Sequence, residues 1–227
     1  RMVAAVNRNK VRFTMAWQMR VDPQNVEMKH LIDSGEIGRV FMMRRRHGLS
    51  THVWGDWFRN SWHVKPEMNR GMWADDAAHP VDLILWWFGT PASVTAEIDT
   101  LHDKQVPDDH GIAVYRYADG IFAEVSSSFC CVAGENTTEV IGERGVIIHN
   151  FGDAPSCNVR PSNETAALKW FSQDRGQWNV SSLPAPASHG ERISALAEPL
   201  LEFLEGGRDP IATVEEGRLS LAMVLAS

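Results

Sequence analysis

The hydrophobic pattern between residues 92 and 150 constrains the fold of this chain more than any other feature. It begins with a segment in which Val94 and Ile98 alternate with polar residues, as the two faces of a half-buried strand require. Two further pairs of strand-like segments follow, and the first pair is joined by Asp119-Gly120, a dipeptide typical of hairpin turns. Strands joined by such short turns pair antiparallel, so this region predicts a mostly antiparallel sheet.

Helical patterns flank this strand region on both sides. The predicted elements are a helix over residues 23–34, a strand over residues 38–47, a helix that ends near Gly89 and a helix over residues 189–204. Pro199 is expected to kink the last of these helices, and the capping box of Thr213 and Glu216 predicts a further helix after it. Helices gathered before and after the strands predict an α+β fold, with helices on one face of an open sheet.

The charge balance of the chain excludes several classes of protein. Its 227 residues carry 22 basic and 29 acidic side chains, a formal net charge of −7, without the clustered basic tract that nucleic-acid binding requires. No apolar run reaches the roughly 18–20 residues of a membrane helix. The three cysteines include no CxxC pair, so we expect neither a disulfide framework nor a structural zinc site, and we expect a cytoplasmic location.

Residues 70–89 hold the constellation that points to chemistry. Asp75, His79 and Asp82 are spaced four and three residues apart, so on one helix they would share a face among mostly apolar neighbours. Histidine takes up or releases a proton near neutral pH, and a nearby carboxylate can orient it or hold a substrate hydroxyl. Such a pair suits the oxidation or reduction of a polyhydroxy compound, for which a redox cofactor must supply the electron acceptor.

Pro80 sets a condition on this arrangement, because proline fits only the first turn of a helix. A helix that starts near Asp76 keeps the three side chains on one face, whereas a start at Pro80 leaves Asp75 in the preceding loop. An interpretation without chemistry is also open, in which Asp75 or Asp76 caps the helix and His79 is a core residue.

Other residues are candidates for the same pocket. His47 ends the strand predicted over residues 38–47, and Trp62 is one of three neighbouring tryptophans whose rings could stack on a sugar. A cluster of histidines could instead hold a metal ion, and its members are His47, His52, His63 and His79. Their spacing matches no zinc motif, so we predict no metal site.

Several segments, taken in order, resemble the glucose–fructose oxidoreductase / inositol dehydrogenase / MocA family. They are WQMR at residues 17–20, LIDSGEIGRV at residues 31–40, the Asp75-x-x-x-His79-x-x-Asp82 motif, EVIGERGVIIHN at residues 139–150 and the segment from Pro199 to Ser227. The resemblance covers essentially the whole chain. It implies a substrate-binding and oligomerisation domain over residues 21–227, preceded in residues 1–20 by the last helix and strand of a Rossmann-like domain.

The resemblance also implies an activity, that of an NAD(P)-dependent dehydrogenase or reductase acting on a sugar, sugar derivative or cyclitol. In that family the histidine of the motif is the general acid and base, which falls on His79, and the aspartate supports it or binds substrate, which falls on Asp75. We expect the substrate to contact Gln18, Arg20, His47, Trp62 and Asp82. The usual three glycines before the motif are replaced here by Asn69-Arg70-Gly71.

The family's Gly-rich dinucleotide fingerprint is absent, since no G-x-G-x-x-G occurs in the sequence. We therefore expect NAD or NADP to be bound mainly by a preceding domain, assign no cofactor-binding residues, and expect the chain alone to be an inactive piece of a longer enzyme. The expected assembly is a homodimer or homotetramer formed through the sheet face. Two alternatives remain open: a metal-dependent sugar isomerase or hydrolase that uses the histidine cluster, and a non-catalytic oligomerisation domain.

Overall fold

A computed structural model describes residues 1–49, 56–131, 136–150, 166–184 and 189–227. The strands are β1 Val40–Gly48, β2 Ser93–Asp99, β3 His110–Arg116, β4 Phe122–Ser128, β5 Thr137–Gly142, β6 Gly145–Asn150, β7 Leu168–Ser172 and β8 Gln177–Val180. The α-helices are α1 Met2–Asn9, α2 Pro23–Asp33, α3 Asp56–Arg59, α4 Met72–Asp75, α5 Ala78–Phe88, α6 His189–Ser194, α7 Ala197–Glu205 and α8 Val214–Ala226. No helix among these combines the length and the apolarity that crossing a membrane would require.

The eight strands form one open sheet in the order β2-β3-β4-β1-β5-β6-β7-β8. Every neighbouring pair is antiparallel except β1 and β4, which run parallel with Met43 opposite Ala123 and His47 opposite Ser127. The predicted α+β fold with a mostly antiparallel open sheet is therefore confirmed. A parallel pair needs a long crossover connection, and here the connection from β1 to β4 carries α3, α4 and α5 followed by β2 and β3.

Alternation along the central strands separates a buried face from an open one. On β4, Ala123, Val125 and Ser127 are buried, while the residues between them are partly exposed. On β1 the buried side includes two polar residues, Arg45 and His47. Buried polar groups need partners, so these two mark the part of the molecule where a polar network lies inside the fold.

The helix ends follow the capping signals in the sequence. The Asp22 side chain caps α2 by accepting from the N–H groups of Gln24 and Asn25, with Pro23 at the first helical position. The predicted capping box is present at the start of α8, where Thr213 and Glu216 each bond the backbone N–H of the other. Local side-chain chemistry therefore fixes where these helices begin.

Two predictions about individual elements are wrong. The strand expected within residues 1–20, after the helix, is absent. Its apolar segment, residues 11–17, pairs with none of the described strands and makes single backbone contacts such as Met15 N–H to Ala212 C=O at 2.9 Å. The helix expected over residues 189–204 is two helices, α6 and α7, and Pro199 is the third residue of α7 rather than a kink within one helix.

Two glycines let α4 lie directly on the sheet. A Cβ on Gly111 of β3 would meet the Trp73 ring at 2.5 Å, so the absence of a side chain there makes room for the indole. Gly71 precedes α4 with φ of 97°, and a Cβ there would meet the carbonyl oxygen of Pro107 at 2.6 Å. Both the backbone conformation and the close approach therefore call for glycine at position 71.

We predict that Gly71→Ala destabilises the chain more than Gly89→Ala. Gly89 shares the positive φ, 77°, but has nothing within 4 Å of its Cβ position, so its substitution adds backbone strain alone, about 1–3 kcal/mol. Gly71→Ala adds a backbone clash to the same strain. Urea unfolding of the two variants measures the difference, and equal losses of stability would contradict the role assigned to the Pro107 contact.

Candidate active site

The helix that the sequence places across residues 75–82 is broken. α4 ends at Asp75, Asp76 is its C-cap residue, and α5 begins at Ala78. Pro80 is the third residue of α5, in the first turn, where its missing N–H removes no helical hydrogen bond. The four-residue spacing of the motif therefore does not place its aspartate and histidine on one continuous helix face.

Asp75 pairs with His63. Its Oδ2 atom lies 2.5 Å from Nδ1 of the imidazole, and both side chains remain partly exposed. Burial raises the pKa of Asp75, and the hydrogen bond and charge of His63 offset only part of that rise. The pair therefore combines a carboxyl group and an imidazole at a position that solvent reaches.

Aromatic rings hold His63 in place. Phe58 stacks against the imidazole at a centroid distance of 5.5 Å, and Trp62 stacks on it at 3.8 Å. Phe58 is buried, whereas Trp62 is 48% exposed. The exposed indole beside the Asp75–His63 pair offers the kind of flat apolar surface on which a sugar ring can stack.

Asp76 pairs with a different histidine. Its Oδ2 atom lies 3.0 Å from Nε2 of His47 and 3.4 Å from the hydroxyl of Ser127. Burial alone would raise the pKa of Asp76, but attraction to His47 and His79 and the hydrogen bonds from His47 and Ser127 outweigh it, so the pKa lies below its ordinary value. The two neighbouring carboxyl groups therefore have pKa values shifted in opposite directions.

A buried arginine lies behind His47. Arg45 is 1% exposed and donates to His47 Nδ1 at 3.2 Å and to the Thr138 hydroxyl at 2.8 Å. Burial and the nearby Arg192 lower the pKa of Arg45 to about 9, although Asp22 and Asp76 act in the opposite direction. Arg45 therefore still carries its charge at neutral pH, inside the fold.

His79 lies at the start of α5. Its backbone N–H donates to the carbonyl oxygen of Asp76 at 3.1 Å. The Trp17 ring meets its imidazole edge-on, with centroids 5.3 Å apart and planes at 89°. The backbone bond fixes where His79 lies in the chain, and the Trp17 ring packs against its imidazole.

Arg20 and Asp82 bond to each other. Arg20 Nε and Nη2 donate to the two carboxylate oxygens of Asp82 at 2.8 and 2.9 Å, and the Ser220 hydroxyl donates to the same carboxylate at 2.7 Å. A third arginine nitrogen reaches Glu216 at 2.6 Å. Burial alone would lower the pKa of Arg20, but these two carboxylates raise it.

Arg20 and Asp82 form a buried ion pair. Both side chains are almost fully buried, at 5% for Arg20 and 0% for Asp82. The two opposite charges pair with each other. Through Asp82 and Glu216, Arg20 links the turn at residues 18–20 to α5 and α8. Substrate contact by Arg20 and Asp82 stays a prediction.

The structure places the remaining candidates as follows. Gln18 is buried in the 3₁₀ turn Gln18–Arg20. His52 lies outside the described residues. Within the described part of the chain, the group of three or more possible metal ligands whose ligand atoms all lie within 4.8 Å of one another is Asp109, His110 and Cys130. Two members of the histidine cluster pair with different carboxyl groups, His47 with Asp76 and His63 with Asp75.

Sequence reasoning missed Asp76 and Arg45. The signal for Asp76 was its position next to Asp75, since a break in the helix turns two adjacent side chains toward different neighbours. The signal for Arg45 was alternation along the strand, because residues 45 and 47 must share a face. Neither signal could be used without knowing which face of β1 is buried and where α5 begins.

Comparison with known proteins gives this geometry a context. The family model of the GFO/IDH/MocA C-terminal domain matches residues 25–148. "Oxidoreductase P35" of Formosa agariphila is 26% identical over 153 residues, which cover 66% of this chain and 47% of that protein. "Putative oxidoreductase YteT" of Bacillus subtilis is 26% identical over 89 residues, 39% of this chain and 21% of the relative. The chain thus matches less than half the length of these two curated relatives.

Solved structures share the fold across nearly the whole chain. The WlbA dehydrogenase of Bordetella pertussis, solved with NADH and UDP-GlcNAcA, has a TM-score of 0.74 and 22% identity, covering 99% of this chain and 62% of that one. Aldose-aldose oxidoreductase of Caulobacter crescentus, complexed with glycerol, has a TM-score of 0.77 and 20% identity, covering 99% of this chain and 63% of that one. At these identities the likeness establishes the fold.

Replacing Asp75 or Asp76 by asparagine should change the pH dependence of stability in opposite directions. The pKa of Asp76 lies below its ordinary 3.8, so its charge stabilises the fold above that value, and this contribution is lost as the pH falls through the folded pKa. The pKa of Asp75 lies above 3.8, so its ionisation opposes folding as the pH rises through the folded pKa.

Chemical unfolding from about pH 6 down to about pH 3 measures both effects. Relative to the parent chain, Asp76→Asn should lose more stability at the upper pH than at the lower pH. Asp75→Asn should lose less stability at the upper pH than at the lower pH. Parallel behaviour of the two variants would show that the carboxyl groups do not occupy the different environments described above.

Proposed function

Because the chain belongs to the GFO/IDH/MocA family, we propose that it is the substrate-binding part of an oxidoreductase that uses NAD or NADP. The proposed reaction interconverts a hydroxyl and a carbonyl group of a sugar, sugar derivative or cyclitol. The observation that carries the proposal is the position of His79 at the start of α5, where its backbone N–H bonds the carbonyl oxygen of Asp76. The carboxyl groups of Asp76 and Asp75 in turn each pair with an imidazole. Relatives named as oxidoreductases support the same activity.

The chemistry divides into a proton and a hydride. A nicotinamide, when bound, supplies or accepts the hydride. In the oxidising direction the imidazole of His79 takes the proton of the substrate O–H as the carbonyl forms, and in the reducing direction it returns that proton to the oxygen. The residues of this chain therefore account for the proton half of the reaction.

Asp75 and His63 are proposed to bind the substrate beside His79. The raised pKa of Asp75 and its contact with His63 give this pair both donor and acceptor capacity. Trp62 offers its exposed face next to them. A polyol such as a sugar presents neighbouring hydroxyls and an apolar ring face, which match such a combination. UDP-GlcNAcA and glycerol, the molecules bound by two of the structural relatives, carry such hydroxyls.

Residues that would hold a dinucleotide are not evident in this chain. No G-x-G-x-x-G occurs in its sequence. We propose that residues 1–20 complete a Rossmann-like domain whose other elements hold the cofactor, and that residues 21–227 form the substrate and oligomerisation domain. We also propose that copies associate through the open sheet face, where Ile112 of β3 is 41% exposed.

The central test is His79→Ala in the complete protein. General acid and base groups contribute about 10²–10⁴ in rate, and we expect turnover to fall by that factor with D-glucose, D-glucuronate or myo-inositol as probe, followed by nicotinamide absorbance. His30→Ala is the matched control, because His30 is exposed on α2. Unchanged turnover in a His79→Ala variant that retains the parent circular dichroism spectrum would overturn the proposal.

A second test concerns the chain alone. We expect residues 1–227 to bind NADH more weakly than micromolar, since the Gly-rich loop that cradles the pyrophosphate is absent. Titration with NADH, followed by the fluorescence of the chain's nine tryptophans, measures this affinity. Saturation at micromolar NADH would instead mean that the chain holds a dinucleotide by itself.

A further inference from the structure

The contacts of His47 determine which of its two ring nitrogens carries the hydrogen. Arg45 Nη2 lies 3.2 Å from Nδ1 of His47, and a guanidinium offers only N–H donors, so Nδ1 accepts. Nε2 therefore carries the ring hydrogen in this arrangement and donates it to Asp76 Oδ2 at 3.0 Å. Donors thus point in one direction, from the guanidinium through the imidazole to the carboxylate.

The burial of this chain of donors makes its geometry rigid. Arg45 and His47 are 1% and 3% exposed, and Thr138 fixes a second guanidinium nitrogen at 2.8 Å. Removing one member of such a network leaves a buried polar group without its partner, which is strongly unfavourable. Arg45 and His47 therefore hold the Asp76 carboxylate both in place and in its charged form.

Asp76 is also linked to His79 through the backbone. The backbone carbonyl oxygen of Asp76 accepts a hydrogen bond from the backbone N–H of His79 at 3.1 Å, which closes a turn between the two residues. Trp17 contacts the imidazole of His79 edge-on and limits how far the ring can rotate. Attraction between the two side chains also contributes to the lowered pKa of Asp76.

Resting on the proposed function, we propose that Asp76 is a positioning residue for His79. The His47–Arg45 pair holds the Asp76 carboxylate beside the start of α5, where its negative charge stabilises the imidazolium that forms when His79 takes the substrate's proton. Asp75, the aspartate at the motif position, is tied to His63 instead and acts on the substrate.

Several titratable groups surround Asp76 and bear on any experiment that removes its charge. They are Arg45 and His47 on β1, Asp75 at the end of α4 and His79 on α5, with the Ser127 hydroxyl contributed by β4. Asp76→Asn removes the negative charge that is proposed to face His79. The protonated form of His79 should then become less favourable, and its titration should move to lower pH.

The first experiment is an NMR pH titration of the ring nitrogens in ¹⁵N-histidine-labelled chain. Asp76→Asn should move the His79 titration to lower pH, whereas Asp75→Asn should mainly change the signals of His63. Single histidine substitutions assign the signals, and the remaining backbone spectrum shows whether each variant is folded. A His79 titration that responds to Asp75→Asn but not to Asp76→Asn would overturn the proposal.

The second experiment measures steady-state kinetics in the complete protein. Asp76→Asn should lower kcat by about 10–10²-fold, within the range of general acid–base effects, with a smaller change in KM. His47→Gln keeps an N–H donor for Asp76 and an acceptor for Arg45 and should retain more activity than His47→Leu. An Asp76→Asn variant with the parent kcat and pH profile would contradict the proposal.

The two proposals fail separately. If His79→Ala is inactive while Asp76→Asn matches the parent, the oxidoreductase proposal stands and the positioning role is wrong. If His79→Ala retains full turnover, the proposed function itself is wrong. Because the NMR titration needs no cofactor or substrate, it decides the electrostatic relation of Asp76 and His79 in either case.

Discussion

The candidate site depends on the interruption of the helix between α4 and α5. In one continuous helix, residues four apart lie on the same face, and Asp75 would stand beside His79. Because α4 ends at Asp75 and α5 begins at Ala78, Asp75 turns to His63 and Asp76 to His47. Two adjacent carboxyl groups thereby acquire different partners and oppositely shifted pKa values.

The sheet keeps this break in position. Gly111 and Gly71 allow α4 to lie directly against β3 and the Pro107 carbonyl, and Pro80 fits the first turn of α5. On the other side, Arg20 joins the turn before α2 to Asp82 of α5 and to Glu216 of α8. Buried ion pairs add little net stability compared with apolar packing, but breaking one is costly, so such pairs resist any shift of α5 relative to its neighbours.

Much of the fold follows from the sequence because its signals are local. The alternation around Val94, the Asp119-Gly120 turn and the capping box of Thr213 each depend on a few neighbouring residues, and each predicts the element that is present. Residues 11–17 were predicted wrongly because an apolar run becomes a strand only where a partner strand is available. The kink predicted at Pro199 is absent because α6 ends at Ser194 and Pro199 lies in the first turn of α7, where proline fits.

The sequence predicted which types of residue form the candidate site but not which side chains pair with each other. The sequence identified a histidine and a carboxylate near residue 79, but partner choice depends on where the helix breaks and on which face of β1 is buried. For that reason Asp76 and Arg45 were missed, and the ion pair between Arg20 and Asp82 was not foreseen. Side-chain direction is set by tertiary contacts, which a single sequence does not state.

The most direct measurement of the central claim is a crystal structure of the complete protein with a nicotinamide dinucleotide and a bound sugar or cyclitol. The account predicts that the reacting hydroxyl lies within about 2.6–3.2 Å of the His79 imidazole, the range for proton transfer, with the Asp75–His63 pair on neighbouring hydroxyls. A substrate bound away from His79, for example on the open face of the sheet, would contradict it.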